Sequence, residues 1–270
     1  MEIPADVREQ ALHPFRELLL PAGWKRVEGR HVVACFHTYP IAQVVEPTTL
    51  GPADVDAAVE EARELVRAEG KDRLVWWIEP GFEWLGPELE RRGLVNEETP
   101  GFESVENAMA LVEPPSGKSS DGVTVNLVET IDDLAACDRV TAEAFEMGDQ
   151  AGEEMDKDRA ERYAAYTSPD NPSRQFNASL DGRVVGTGAS VIGKHGVNLF
   201  AAGVLPEARR RGVYRALIRA RWDLAVELGR PALTVQAGRM SRPVLESVGF
   251  SFIAAAKMYV DGLGSSPAVG

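Results

Sequence analysis

The stretch Val204-Leu205-Pro206-Glu207-Ala208-Arg209-Arg210-Arg211-Gly212-Val213-Tyr214-Arg215-Ala216-Leu217 constrains this chain more than any other. It reads as a strand that ends, a basic turn holding a glycine, and a helix that begins. At a helix N-terminus the first backbone N–H groups lack intrahelical partners and point outward. With the helix dipole they form an anion site. Gly212 lets a bulky anion approach the backbone. Arg209, Arg210, Arg211 and Arg215 concentrate positive charge there, in a chain whose net charge is −13. Such a place suits the diphosphate of a large cofactor; a solvated basic helix start is the plainer alternative.

Periodicity and turn residues lay out the elements around this stretch. Upstream come a strand at 123–128 and a Thr130/Asp133 capping pattern. The pattern opens a helix whose apolar face carries Leu134, Cys137, Val140 and Ala144. An acidic segment at 146–158 and a helix at 160–166 follow, ended by Ser168-Pro169-Asp170-Asn171-Pro172. Strands at 176–180 and 183–192 are joined by the hairpin signal Asp181-Gly182, and a third strand spans 197–204. Downstream lie a helix at 213–228 closed by Gly229, a strand at 233–236, a short helix at 244–248 closed by Gly249-Phe250, and a last strand at 252–260.

In that order of elements, the basic stretch resembles the R/Q-x-x-G-x-G/A acetyl-CoA loop of the GNAT acetyltransferases. The preceding V-x-P, the following Ala216-Leu217 and the Gly249-Phe250 ending fit the same family, and the resemblance covers about 123–260. It implies an α+β fold: a mixed, mostly antiparallel sheet flanked by helices and splayed near strand 197–204. The pantetheine arm of acetyl-CoA would lie beside the backbone of Ala202 to Val204. Arg209 matches the family's Arg or Gln, and Gly212 matches the first glycine. Arg210, Arg211, Val213 and Arg215 belong to the same loop and helix start. Tyr214 stands at the second glycine position, a departure that keeps the backbone donor but obliges the side chain to turn from the phosphates. Ser241 is expected near the cofactor arm, or as the N-cap of the short helix.

The family often places a Tyr acid at the position of Leu245 and an Asn at that of Gly238; neither is kept here. Candidate groups for handling the amine proton are Glu146 and Asp149, or these are simply an exposed acidic loop. Tyr259 on the last strand is a further candidate, or a core aromatic. The resemblance implies transfer of an acetyl group to a primary amine of a small molecule or peptide by direct attack on the thioester. The acidic segment favours a cationic acceptor. Competing readings are a catalytically weak acyl-CoA sensor or scaffold, and an acyltransferase for a longer acyl chain.

The N-terminal half ends in the same series: a helix at 53–68, a strand at 74–78, a helix at 87–92 and a strand at 105–112. Leu89 to Leu94 stands where Leu245 to Phe250 stands later, which indicates a diverged internal duplication. The arrangement is similar to that of the mycothiol synthases. The earlier helix is preceded by Thr48-Thr49-Leu50-Gly51-Pro52, without an arginine, and Asp54 and Asp56 there repel a pyrophosphate. One cofactor site per chain is expected. The Pro-, Ser- and Gly-rich segment 116–122 reads as a linker. It separates a degenerate N-terminal domain, 1–115, from an acetyltransferase domain, 123–262, and 263–270 is expected to be a flexible tail.

Hydrophobic residues at 44% and charged residues at 26% are those of a water-soluble globular protein. The acidic balance excludes nucleic acid as a partner of the whole surface, and no apolar run reaches membrane-spanning length. A cytoplasmic location is expected. His31, Cys35 and His37 share one strand face, but three such ligands without a fourth make a poor zinc site, and no metal is expected. Cys137 reads as core and His195 as solvated. Trp76, Trp77, Phe82 and Trp84 read as core of the N-terminal half or as a wall of the acceptor pocket.

Overall fold

The computed structural model describes residues 2–37, 42–99, 102–117, 122–147, 153 and 155–263. In chain order these form α1 (Ala5–Leu12), α2 (Pro14–Glu17), β1 (Lys25–Glu28), β2 (Val32–Phe36), β3 (Gln43–Pro47), α3 (Val55–Ala68), β4 (Arg73–Ile78), α4 (Leu85–Glu90), β5 (Val105–Leu111), β6 (Val123–Leu127), α5 (Ile131–Ala144) and α6 (Arg159–Tyr166). β7 (Ser173–Leu180), β8 (Arg183–Ile192), β9 (Val197–Val204), α7 (Val213–Glu227), β10 (Leu233–Ala237), α8 (Arg242–Ser247) and β11 (Ser251–Gly262) follow. Short 3-10 turns at Pro52–Asp54 and Pro206–Ala208 precede α3 and α7. No helix among the described residues is long and apolar enough to cross a membrane.

The chain divides into two compact units that interleave in sequence. A C-terminal unit comprises Met1–Ala22, Met109–Gln236 and Met240–Phe252, and an N-terminal unit comprises Gly23–Ala108, Ala237–Arg239 and Ile253–Gly270. The first two helices thus belong with the second half of the chain, and most of the last strand belongs with the first half.

In the C-terminal unit β6, β7, β8 and β9 are antiparallel neighbours, and β9 pairs with β10 in parallel. The β7–β8 connection is the two-residue turn its sequence announces. Leu180 faces Arg183, and Asp181 and Gly182 both have positive φ, 52° and 81°. That conformation matches the twist of a hairpin and favours Asp-Gly. Thr130 caps α5: its Oγ1 accepts from the Asp133 N–H at 3.1 Å, and the Asp133 carboxylate accepts from the Thr130 N–H at 3.0 Å. Leu134, Cys137 and Val140 bury the apolar stripe of α5. Phe176, Ala178 and Leu180 of β7 pack with Val213 and Leu217 of α7 in the core. The Gln10 side chain of α1 donates to Thr234 Oγ1 at 3.1 Å and accepts from the His195 N–H at 2.9 Å. His195 itself is half-exposed and lies 3.2 Å from Asp6, so it is tied to α1 rather than simply solvated.

The N-terminal unit repeats the pairing scheme. β1, β2 and β3 are antiparallel, and β3 pairs with β4 in parallel. β11 closes it, antiparallel to β4, with Tyr259 opposite Trp76. The stripe Val55, Ala58, Val59, Ala62 and Val66 of α3 meets Leu74, Trp76 and Ile78 of β4 in one core, alternate residues of a strand against one helix face. Trp76 and Trp77 are fully buried, while Phe82 and Trp84 pack on the edge of that core. Cys35 is buried too. The rings of His31 and His37 meet backbone carbonyls, Thr49 O at 3.3 Å and Ala42 O at 3.0 Å.

Candidate functional site

β9 carries two irregularities that the sequence does not announce. Along β8 the partners run Gly186↔Val204 and Thr187↔Gly203, then jump to Ala189↔Phe200. Ala201 and Ala202 therefore oppose Gly188 as a bulge, and Ala201 has a φ of 40°, a left-handed conformation rare for a residue with a Cβ. On the other edge, β9 pairs with β10 only through Val197–Leu199. Among the described residues no pairing with β10 continues from Phe200 to Val204, the stretch where the resemblance implies a splay.

β9 then runs into the basic loop. Leu205 is fully buried, Pro206–Ala208 make a 3-10 turn, and Arg209 returns to extended backbone. Arg210 and Gly212 have positive φ, 62° and 80°. Gly212 is the N-cap of α7, offers no capping side chain, and no acidic residue occupies the first turn. The first amides of α7, those of Val213, Tyr214 and Arg215, are thus left for an external acceptor. Arg209 Nε donates to Val204 O at 3.3 Å, which holds the loop to the end of β9. Arg215 Nη2 donates to Ser247 Oγ at 3.1 Å, and Arg211 lies 3.7 Å from Asp181. Arg209, Arg210, Arg211 and Arg215 are all exposed.

Tyr214, at the place of the second glycine, is the second residue of α7. Burial pushes its phenol pKa up, and Arg221, two turns further along α7, acts in the opposite sense. By exposure the residue as a whole is half-buried.

The remaining candidates are dispersed. Glu146 is exposed just past α5 with a φ of 53°. Phe145 beside it, with Ala144, packs on Gly203 of β9. Asp149 lies outside the described residues. Ser241 is half-buried and stands at the N-cap position of α8, the place its sequence suggests, without a side-chain bond to the first amides of that helix. Tyr259 is buried in the core of the N-terminal unit against Gly86 of α4. Its pKa is raised by burial and by Glu90. Cys137 is buried with its Sγ 2.9 Å from Thr187 Oγ1, as a core residue.

Two charged groups went unseen in the sequence. The first is Arg221, 0% exposed, on the sheet-facing side of α7. The second is the pair Glu103 and Glu106 in the N-terminal unit. The Glu103 carboxylate fills the space where Gly238 would carry a side chain, and its Oε2 accepts from the Arg239 N–H at 2.8 Å. Burial pushes Glu106 up to about 7, opposed by the Glu103 N–H, which donates to its Oε1 at 3.3 Å, and assisted to a lesser degree by the Glu103 charge. Neither residue sits in a motif, and only the folded chain brings 103–106 against 238–239. Leu245, at the place of the family's acid, is fully buried.

The model of the acetyltransferase (GNAT) family matches residues 135–250. Among solved structures, a GCN5-related N-acetyltransferase from Kribbella flavida is 17% identical with a TM-score of 0.66, over 96% of this chain and 96% of that one. A conserved protein of unknown function from Staphylococcus epidermidis is 14% identical with a TM-score of 0.62, over 90% and 96%. A tandem GNAT protein from the clavulanic acid biosynthesis pathway is 14% identical with a TM-score of 0.54, over 98% and 90%. At such identities the likeness is one of fold, and it runs through both halves. A search of the curated proteins finds no match.

Proposed function

We propose that the chain is an acetyl-CoA-dependent N-acetyltransferase acting on a primary amine of a small molecule or peptide, with a cationic acceptor favoured by the acidic balance. The observation that carries this reading is the uncapped start of α7 at Gly212, set among exposed arginines at the end of a bulged strand whose described pairing with β10 stops at Leu199. The amides of Val213, Tyr214 and Arg215, with Arg209 and Arg210, would hold the pyrophosphate. The backbone of Ala202 to Val204 would pair with the pantetheine amides. The neutral amine then attacks the thioester carbon: the C–N bond forms, the C–S bond breaks, its electron pair leaves on sulfur, and the amine proton passes to water or to Glu146.

Thermal stability with and without acetyl-CoA tests the binding half of the reading. Ligand at about 100 times its dissociation constant stabilises by roughly 2.7 kcal/mol, and Arg209→Ala is expected to lose most of the shift. Release of free thiol with a panel of amines tests the chemistry. No shift in a folded sample would overturn the reading. A shift without turnover would favour a weak acyl-CoA sensor, the second reading, supported by the buried aliphatic Leu245 where the family keeps an acid.

A further inference from the structure

Arg221 is fully buried, and its surroundings give it little reason to be charged. Its Nε donates to Leu217 O at 2.9 Å and its Nη1 to Ala189 O at 3.4 Å, while its Nη2 has no acceptor among the described residues. Among the described residues, Tyr214 on the same helix is the one titratable group acting on it, and no carboxylate faces it from β8 or β9. Burial lowers its pKa, to about 10, so it remains a cation at neutral pH. A buried charge without a partner is costly, and such groups cluster where a protein uses them.

The fold makes room for this cation at one place. Val213 packs on Gly186, the partner of Val204, and two turns later Arg221 packs on Gly188, opposite the bulge. α7 thus leads from the phosphate loop back along β9. A Cβ on Gly188 would stand 3.0 Å from Arg221 Nη1 and 3.5 Å from Ala202 Cβ. The guanidinium and the bulge residue therefore share one small space, which a glycine leaves open.

We propose that Arg221 is a positioning residue whose uncompensated charge, set under the Ala201–Ala202 bulge, stabilises the negative charge that collects on the thioester oxygen and then on the departing sulfur. The proposal rests on the acetyl-transfer reading above. It also supplies a reason why a chain with leucine at the acid's position can release its thiol: sulfur departs as a thiolate in the field of a cation, and the amine proton goes to water. Preorganised charge of this kind needs no rearrangement during the reaction.

The test is the titration of free CoA bound to the full chain, read by the ultraviolet absorbance of its thiolate. In the wild type the bound thiol is expected to titrate at least about one unit below an ordinary thiol near 8.5. Arg221→Met is expected to bind CoA within about threefold of wild type, return the thiol to its ordinary value, lower kcat about tenfold or more, and raise Tm, because an unpaired buried charge has gone. Arg221→Lys should keep part of the shift. A bound thiol in the wild type that titrates at its ordinary value overturns the proposal, whether or not any variant folds. So does a Met variant that loses activity and stability together while its thiol stays shifted. Failure of the wild type to bind CoA is a different result: it overturns the acetyl-transfer reading, and this proposal with it.

Discussion

α3 and α7 are the corresponding long helices of the two units, each leading from a parallel-paired strand through a 3-10 turn. α3 follows its turn at once, and Asp54, at its N-cap position, turns its Oδ2 back to accept from the Gly51 N–H at 3.2 Å, so a carboxylate stands at the helix start without bonding the first amides of α3. α7 is separated from its turn by Arg209-Arg210-Arg211-Gly212 and starts uncapped. The ninth residue of each helix is an arginine. Arg63 donates twice to Asp261, at 2.7 and 3.3 Å, whereas Arg221 meets no carboxylate among the described residues. The two units share one order of elements, and the arginine at the corresponding place has a carboxylate partner in one unit and, among the described residues, none in the other. The unit without that partner is the one the family model matches.

The buried charges give the largest expected effect. The N-terminal unit buries an acid, Glu106, as the C-terminal unit buries a base. With a folded pKa of about 7, Glu106 holds its proton more tightly folded than unfolded. Its contribution is therefore full below about pH 4.5 and is lost as pH rises to about 7. Glu106→Gln removes that loss and should stabilise by about 3 kcal/mol at pH 8 and by little at pH 4.5. Urea unfolding at the two pH values checks it; an equal gain at both would show that the carboxyl is not the cause.

Next is Gly212→Asp, which puts a carboxylate at the N-cap of α7, as Asp54 stands at that of α3. The full stabilisation by acetyl-CoA, about 2.7 kcal/mol at 100 times the dissociation constant, should disappear. The free protein should lose only about 1 kcal/mol from an Asp at positive φ. Retained stabilisation would mean that the anion lies elsewhere, and the contrast between the helix starts would lose its meaning.

Much of this contrast was legible beforehand. The loop stood in the sequence because its parts are local: Val204, Pro206, Arg209 and Gly212 lie within one strand–turn–helix. The hairpin at Asp181-Gly182 and the Thr130 cap were legible for the same reason. The bulge at Ala201 was not, since two alanines carry no turn signal and their conformation is imposed by pairing with β8. Arg221 was invisible because at helical spacing it reads as one more surface arginine; only Gly188, on another strand, makes it buried. The placing of Tyr259 in the N-terminal unit depends on β11 pairing with β4, a long-range choice that two similar apolar strands do not reveal.

The two arginines should respond to the same substitution with opposite signs. Arg63→Met leaves Asp261 largely buried without its partner and should cost about 1–3 kcal/mol. Arg221→Met should stabilise. Chemical denaturation of both variants measures the pair, and a loss at both positions would place Arg221 among ordinary structural arginines.

The smallest effect tests whether Asp54 alone keeps an anion from the start of α3. Asp54→Ala removes one partly exposed hydrogen bond and should cost about 0.5–1 kcal/mol. It should not create a second acetyl-CoA site, because α3 would still begin without an arginine loop and with Asp56 in its first turn. Calorimetric stoichiometry decides: one ligand per chain in both wild type and variant is expected. Two ligands in the variant would show that a single carboxylate separates the two copies, and that the four-residue basic insertion matters less than the charge at the helix start.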